Sequence, residues 1–318
     1  MLGRLLLATT LVFFTATACA QDYPTKPVRI IVPTAPAGGV DGVARVVSQK
    51  LQEKWGMSVT VENRAGASGA IGAEFVFRAA PDGYTLLIGT PGALLTNKLL
   101  IPNLAYDSDA FAPIAVIAES PQVLVAHTKV GAETLQSLLA LAKAKPDLLN
   151  YGSPGNGTVP QLAFELLKAT AGVRIVHVPF KGNAPALAAL LGGQVEMIID
   201  AISTTRAGVR AGTLRALAVT GAKRHPTLPN VPTVSEVLPG FLAIVWYGMV
   251  APPGTPAAIT TRVSAAVAEA LKQPDAAKRL QDMNVEPVGN TPAEMAQFIR
   301  RESEVWGNII RTAGIKSE

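Results

Sequence analysis

Val28-Arg29-Ile30-Ile31-Val32, running into Pro33-Thr34-Ala35-Pro36-Ala37-Gly38-Gly39-Val40-Asp41, is the stretch on which the fold turns. Its first five residues are an almost continuous run of β-branched side chains, as in a buried strand. Prolines, glycines and small residues follow, and from Val40 the apolar positions Val43, Val46, Val47 and Leu51 recur at helical spacing until Gly56 stops the helix. The same change from strand to Gly/Pro-rich turn to helix recurs at 64–72, 151–158 and 180–184. Each junction turns unpaired backbone N–H groups and a positive helix end outward, which suits an anion.

Outward from this unit, residues 57–62 read as a second strand, 70–79 as a helix, and Pro81-Asp82-Gly83 as the turn into a third strand at 84–89. Alternation of this kind predicts a largely parallel, helix-covered sheet. Two β-type runs, 112–118 and 123–126, are then separated only by Glu119-Ser120-Pro121-Gln122. That is too short for a βαβ crossover, which needs about a dozen residues, so a first hinge is expected there. Alternation resumes with helix 135–144, strand 148–152, helix 159–169, strand 173–178, helix 185–191, and strands 195–199 and 214–219. A connector over 224–240 carries Pro226, Pro229, Pro232 and Pro239, and leads to strand 244–250 as a second crossing. Helices 256–272, 275–283 and 292–312 are expected to pack back on the first lobe. The expected fold class is thus α/β, with two lobes, 21–121 plus 246–318 and 122–245, around a shared cleft. Ligands of open α/β sheets sit beyond the carboxyl ends of the strands, where all four turns fall.

Residues 1–20 read as a secretory signal peptide: Arg4, an apolar stretch from Leu5 to Phe14, then Thr15-Ala16-Thr17-Ala18-Cys19-Ala20. The apolar core is far short of the roughly 20 residues of a membrane span. Cleavage before Gln21 gives a soluble periplasmic protein; cleavage before Cys19 gives a lipoprotein, a reading weakened by Ala16 in place of leucine. Cys19 is the only cysteine, so the folded part has no disulfide. Beyond residue 20 the chain carries 27 Lys+Arg against 23 Asp+Glu, a mild excess that favours acidic ligands. With 5% aromatic residues and no basic stripe, nucleic-acid binding is not expected.

The usual catalytic patterns are missing. His127, His177 and His225 are scattered without metal spacing, and no mature cysteine is available as a nucleophile. Ser153 lacks the G-x-S-x-G elbow, and a structural role is the commoner one for a histidine placed like His177. The turn Gly66-Ala67-Ser68-Gly69-Ala70-Ile71-Gly72 spaces its glycines by three and has no acidic residue about 20 positions on, against a dinucleotide site. No Gly-Lys-Ser/Thr ends the turn at 151–158, against a P-loop. Neither enzyme, metal site nor cofactor is expected.

Eight ordered motifs carry a resemblance. They are Tyr23-Pro24-x-Lys26-Pro27-Val28-Arg29; Val32-Pro33-x-Ala35-Pro36 with Asp41; Glu62-Asn63-Arg64-x-Gly66-Ala67-x-Gly69; and Pro81-Asp82-Gly83-Tyr84-Thr85-Leu86. The others are Tyr151-Gly152-Ser153 with Gly155 and Gly157; His177-Val178-Pro179-Phe180-Lys181-Gly182; Leu214-Arg215-Ala216-Leu217-Ala218-Val219; and Val231-Pro232-Thr233. From Tyr23 to the C-terminus the chain resembles the tripartite tricarboxylate transporter substrate-binding proteins, the Bug/TctC family. The resemblance implies a two-lobed, type II-like periplasmic-binding-protein fold that closes on a small carboxylate and delivers it to TctA/TctB-like membrane subunits. It also implies that backbone groups and ordered waters, rather than an arginine, hold the proximal carboxylate. A monomer is expected. A sensor presenting ligand occupancy to a signalling partner needs the same closing cleft and stands as the alternative.

Mapped onto this chain, the first turn offers Thr34, Ala35, Pro36, Ala37 and Gly38, with Thr34, Ala37 and Val40 standing where the family usually has Phe, Gly and Thr. Asp41 reads as a scaffold residue that stabilises the helix end by about 0.3–1 kcal/mol. Ser68, Gly69 and Ala70 of the second turn and Thr90 after the third strand join them. The other lobe offers Ser153, Gly155, Asn156, Gly157 and Thr158, with Gln161 where the family often places His. Lys181 either steers an anion or is a solvated lysine. Asp200, if it faces the cleft, suits a ligand with a donor group and opposes a second carboxylate. Trp246 and Tyr247 are aromatic wall candidates, although packing between lobes is the simpler role. A dicarboxylate, an aromatic acid, an amino acid and a nicotinate-like compound all remain open as ligands.

Overall fold

A computed structural model of the chain describes residues 23–316; the expected signal peptide over 1–20, with Cys19, lies outside these described residues. The first lobe opens with β1 (Val28–Val32), α1 (Gly39–Trp55), β2 (Val59–Asn63), α2 (Ala70–Phe77) and β3 (Thr85–Gly89). The helical spacing seen in the sequence buries Val40, Val43, Val46, Val47 and Leu51 of α1 against the sheet. Gly56 ends the helix at φ 62°, its amide bonded to the Gln52 carbonyl, in the left-handed conformation that glycine adopts without a Cβ penalty. A π-helical turn at Gly92–Thr96 runs into the short α3 (Asn97–Leu100).

Next comes β4 (Ala112–His127), a single 16-residue strand. The two separate runs expected here are one, because Pro121 sits where the strand changes partners. Pro121 pairs with Ile244, and from Gln122 onward β4 pairs with other strands. The missing proline N–H therefore breaks no ladder in mid-sheet. The second lobe consists of α4 (Leu135–Ala144), β5 (Asn150–Ser153), α5 (Val159–Ala171), β6 (Val176–Pro179), α6 (Asn183–Leu191), β7 (Met197–Ala201), α7 (Ile202–Arg210) and β8 (Leu214–Val219). The chain returns through β9 (Ile244–Ala251), α8 (Ala257–Leu271), α9 (Pro274–Asp282), β10 (Glu286–Pro287) and α10 (Pro292–Thr312).

The strand order is β2-β1-β3-β9-β4-β7-β5-β6, with β8 and β10 also on β4. The outer strands β1, β2 and β3, and β5, β6 and β7, pair in parallel, as βαβ units require. The long central strands β4 and β9 run antiparallel to their neighbours, so the sheet is mixed rather than largely parallel. Two further corrections concern helices. Residues 202–210 form α7, which the sequence pattern does not announce, and α10 packs on α5 of the second lobe as well as on β4. Among the described residues no helix is long and apolar enough to cross a membrane.

The hold of α10 on the central strands has a polar centre. Glu302 Oε2 accepts the indole N–H of Trp246 at 3.1 Å and that of Trp306 at 2.9 Å, and both rings are fully buried. Glu302→Leu strands two indole donors and is expected to cost about 2–4 kcal/mol in urea unfolding, whereas Glu302→Gln keeps an acceptor and costs under about 1.5 kcal/mol. Equal losses in the two variants would show that the carboxylate does not hold this joint.

Candidate ligand-binding cleft

The first turn is shaped from below by one buried carboxylate. Asp41 Oδ2 accepts from the Ala37 amide at 3.0 Å and from Arg45 Nε at 2.9 Å, and its Oδ1 accepts from Arg45 Nη2 and Asn63 Nδ2. Asn63 Nδ2 also donates to the Thr34 carbonyl at 3.1 Å, so the end of β2 pins the loop that follows β1. The Arg45 hydrogen bonds, with those from Ala37 and Asn63, outweigh burial and hold the Asp41 carboxyl below its ordinary pKa. Asp41 therefore points into the scaffold and not at a ligand. Above it, Thr34 is half-buried and Ala35, Pro36, Ala37 and Gly38 are exposed. Ala37 takes φ +66°, a conformation that costs an L-residue about 1–2 kcal/mol and that glycine adopts freely. Gly38 is the N-cap of α1 and no side chain caps that helix. A Cβ on Gly39 would fall 2.6 Å from the Tyr247 hydroxyl, so Tyr247 closes over the helix start.

The second turn is a left-handed loop: Gly66, Ala67, Ser68 and Gly69 all have positive φ, with Ala67 at 46° and Ser68 at 52°. Two strained L-residues in succession persist only where the surroundings hold them, and such strain gathers at ligand clamps. Here the hold is close contact. A Cβ on Gly72 would lie 2.9 Å from Pro33 and from the Arg64 carbonyl, and one on Gly69 would press on Pro33 and Ala93. Asn97 Nδ2 donates to the Ser68 carbonyl at 3.1 Å, and Ala70 opens α2. Half-buried Thr90 lies beside this loop: a Cβ on Gly92 would be 3.5 Å from the Ser68 carbonyl and 3.6 Å from Thr90 Oγ1. Thr34 to Gly38, Ser68 to Ala70 and Thr90 thus form one group at the carboxyl ends of β1, β2 and β3.

The second-lobe turn joins β5 to α5. Fully buried Ser153 bonds His177 Nε2 at 2.6 Å, and the Gly155 amide donates to Ser153 Oγ at 3.2 Å. Thr158 Oγ1 donates to the Gly155 carbonyl at 2.7 Å, which tightens the turn from within. The Gly157 amide, a candidate ligand donor, is taken by Gln161 Oε1 at 2.6 Å, and Gln161 also reaches Asn156 and His177. Burial, ahead of any charge, lowers the His177 pKa. The next turn lies alongside: Gly182 donates to the Pro154 carbonyl at 3.0 Å and Phe180 to the Ser153 carbonyl at 2.9 Å. Lys181, in that turn, is exposed. Asp200 is buried and bonded to Asn183 Nδ2 and to the Ala201 amide, and desolvation raises its pKa. These turns share the carboxyl ends of β5, β6 and β7.

The first lobe reaches the second-lobe turn at Gly157 through Thr96 and Leu100, in the segment that follows Thr90. Thr96 Oγ1 donates to the Gly157 carbonyl at 3.4 Å, and a Cβ on Gly157 would lie 2.2 Å from Leu100 Cδ1. Lys181 and Asp200 are tied to the second-lobe turns through Gly182 and Asn183 but not to this meeting point. Sequence reasoning passed over Thr96, Asn97 and Leu100, which lie in an apolar stretch that reads as core, and Asn63, which was visible only as part of a motif. Among the described residues no cluster of His, Cys, Asp and Glu is placed to hold a metal ion.

Residues 43–315 match the family described as "Tripartite tricarboxylate transporter family receptor". Protein BugT of Bordetella pertussis (strain Tohama I) is 34% identical over 304 residues, covering 95% of this chain and 93% of BugT. The solved structure of R. palustris Rpa4515 with adipate is 36% identical with a TM-score of 0.80, over 93% of this chain and all of that one. That of MatC (Rpa3494) from Rhodopseudomonas palustris with bound malate is 35% identical with a TM-score of 0.75, over 91% of this chain and all of that one. With two α/β lobes sharing β4 and touching at Gly157, the chain belongs to the tripartite tricarboxylate transporter receptor family, the Bug/TctC solute-binding receptors, which are not enzymes.

Proposed function

We propose that this receptor captures a small carboxylate between its lobes in the periplasm and delivers it to the membrane subunits of a tripartite tricarboxylate-type transporter. The observation that carries this reading is the contact of the second-lobe turn at Gly157 with Thr96 and Leu100 of the first lobe, in the same segment whose Asn97 holds the left-handed turn at Ser68. Helix-start and glycine-rich turns of this kind suit an anion, and the nearby Asp41 carboxylate does not oppose one, since it is consumed by Arg45, Asn63 and Ala37. The adipate and malate held by two relatives make aliphatic dicarboxylates the first class to try. Lobes 21–121 plus 246–318 and 122–245 would then close by rotation about the β4 crossing at Pro121–Gln122.

A thermal-shift screen of residues 21–318, freed of co-purified ligand, tests this against aliphatic, aromatic and amino-substituted carboxylates. A ligand at 100 times its Kd adds about 2.7 kcal/mol, a rise of a few degrees in Tm. Silence across the whole panel would overturn the carboxylate reading. For delivery, ligand-loaded receptor should retain transporter membrane subunits in a pull-down, and recovery of a sensor-kinase ectodomain instead would favour the signalling role.

A further inference from the structure

A backbone N–H needs an acceptor, so the 2.6 Å contact between Gly157 N and Gln161 fixes which end of the Gln161 carboxamide is oxygen. Its NH2 group then faces Asn156 Oδ1 at 3.4 Å and His177 Nδ1 at 3.3 Å. A ring nitrogen facing a donor is the unprotonated one, so the imidazole is neutral and carries its proton on Nε2. That proton goes to Ser153 Oγ at 2.6 Å, and Ser153 donates in turn to the Gly155 carbonyl at 3.3 Å. One proton position thus sets the direction of the hydrogen bonds from Ser153 to Gly157.

We propose that His177 is the positioning residue of the second-lobe turn and makes it pH-sensitive: neutral, it holds the Gln161 oxygen on the Gly157 amide; protonated, it reverses the carboxamide and releases that amide. The imidazolium has N–H at both nitrogens, so Nδ1–H needs an acceptor where Gln161 now offers a donor. Half a turn of the carboxamide satisfies the ring and sets NH2 against the Gly157 N–H. The groups around the ring set the balance. Tyr151 stacks on it at 4.8 Å and donates to Glu165 at 2.6 Å, and Glu165 is paired with Lys168 at 2.8 Å. Glu165 favours the imidazolium, while burial and, more weakly, Lys168 oppose it. The ring is therefore neutral at pH 7, and the reversal takes place below the ordinary histidine value of about 6.5. Since the folded pKa lies under the unfolded one, the stability tied to neutral His177 is complete above the unfolded value and is lost as pH falls through the folded one.

The inference rests on reading 153–158 as one jaw of the cleft, but its first test needs no ligand. In an NMR titration of the free protein from about pH 8 to pH 5, His177 should start as the Nε2–H tautomer, and the Gly157 amide resonance should move with the His177 midpoint. Gln161→Glu supplies an acceptor to both partners and should raise that midpoint by about one pH unit or more. His177→Asn keeps an acceptor oxygen toward Gln161 and should leave the Gly157 amide still. With malate as probe, wild-type affinity relative to that of His177→Asn should rise about three- to tenfold between pH 7.5 and pH 5, the worth of one hydrogen bond, as the released Gly157 amide becomes free for the carboxylate. A Gly157 amide that stays still while His177 titrates, or an Nδ1–H tautomer at pH 8, overturns the proposal. Coupled titration in a protein that binds no carboxylate supports the relay and counts against the functional reading alone.

Discussion

Gly157→Val is expected to lower carboxylate affinity by at least about 100-fold, some 2.7 kcal/mol, in a protein that still folds. Gly157 sits at φ +75°, where a β-branched residue is strained whatever the space around it. It is also where the lobes touch: the added Cβ would lie 2.2 Å from Leu100 Cδ1, and the Gly157 carbonyl accepts from Thr96. Leu100 Cδ1 is the tip of a flexible side chain and can swing away from a single methyl group, so Gly157→Ala should cost less. The two branches of valine leave no such escape and wedge the lobes apart. Titration calorimetry with the best ligand of the screen measures the loss, and a melting curve shows that the fold survives. Adding Leu100→Ala to Gly157→Ala should restore part of the affinity, because space opens from the opposite lobe. Wild-type affinity in folded Gly157→Val would remove this turn from the site.

What the sequence announces here is whatever depends on neighbours along the chain. The unit of β1, turn and α1 is legible because a buried run, two prolines and a helical apolar spacing follow one another within 30 residues. α7 is not, since Ile202-Ser203-Thr204-Thr205-Arg206-Ala207-Gly208-Val209-Arg210 is poor in strong helix formers and buries only Ile202 and Thr205; packing on β7, β8 and β4 makes it a helix. Pro121 reads as a break, and only the pairing of β4 with strands from both lobes reveals one continuous strand. The turns themselves could be found from their glycines. The groups that shape them could not, because Asn63 reaches back to Thr34, Asn97 to Ser68, and His177 to Ser153 and Gln161, each through contacts that the fold alone creates.

Asp41→Ala should be the most damaging change to the first turn, with a loss of about 2–4 kcal/mol in unfolding free energy and a further loss of ligand affinity. The carboxylate is 3% exposed and accepts four hydrogen bonds, so its removal strands the Ala37 amide, Asn63 Nδ2 and the Arg45 fork together. This role is larger than that of a charge at a helix end, worth about 0.3–1 kcal/mol, because the acceptors hold a loop containing a strained residue. Asp41→Asn keeps an oxygen for Ala37 or for Asn63 but loses the charge opposite Arg45, and should fall between wild type and alanine. The pH response separates the two contributions. Asp41 has a folded pKa below its unfolded value of about 3.8, so its stabilisation is complete above that value and is lost as pH falls through the folded one. Urea unfolding at pH 7 and near pH 3 should therefore show the gap between wild type and Asp41→Asn narrowing in acid. A gap that stays constant would mean that the ion pair adds nothing beyond the geometry of the hydrogen bonds. If this turn is part of the proposed site, affinity should follow the same order as stability, since the exposed turn above Asp41 keeps its shape only while the loop beneath it is held.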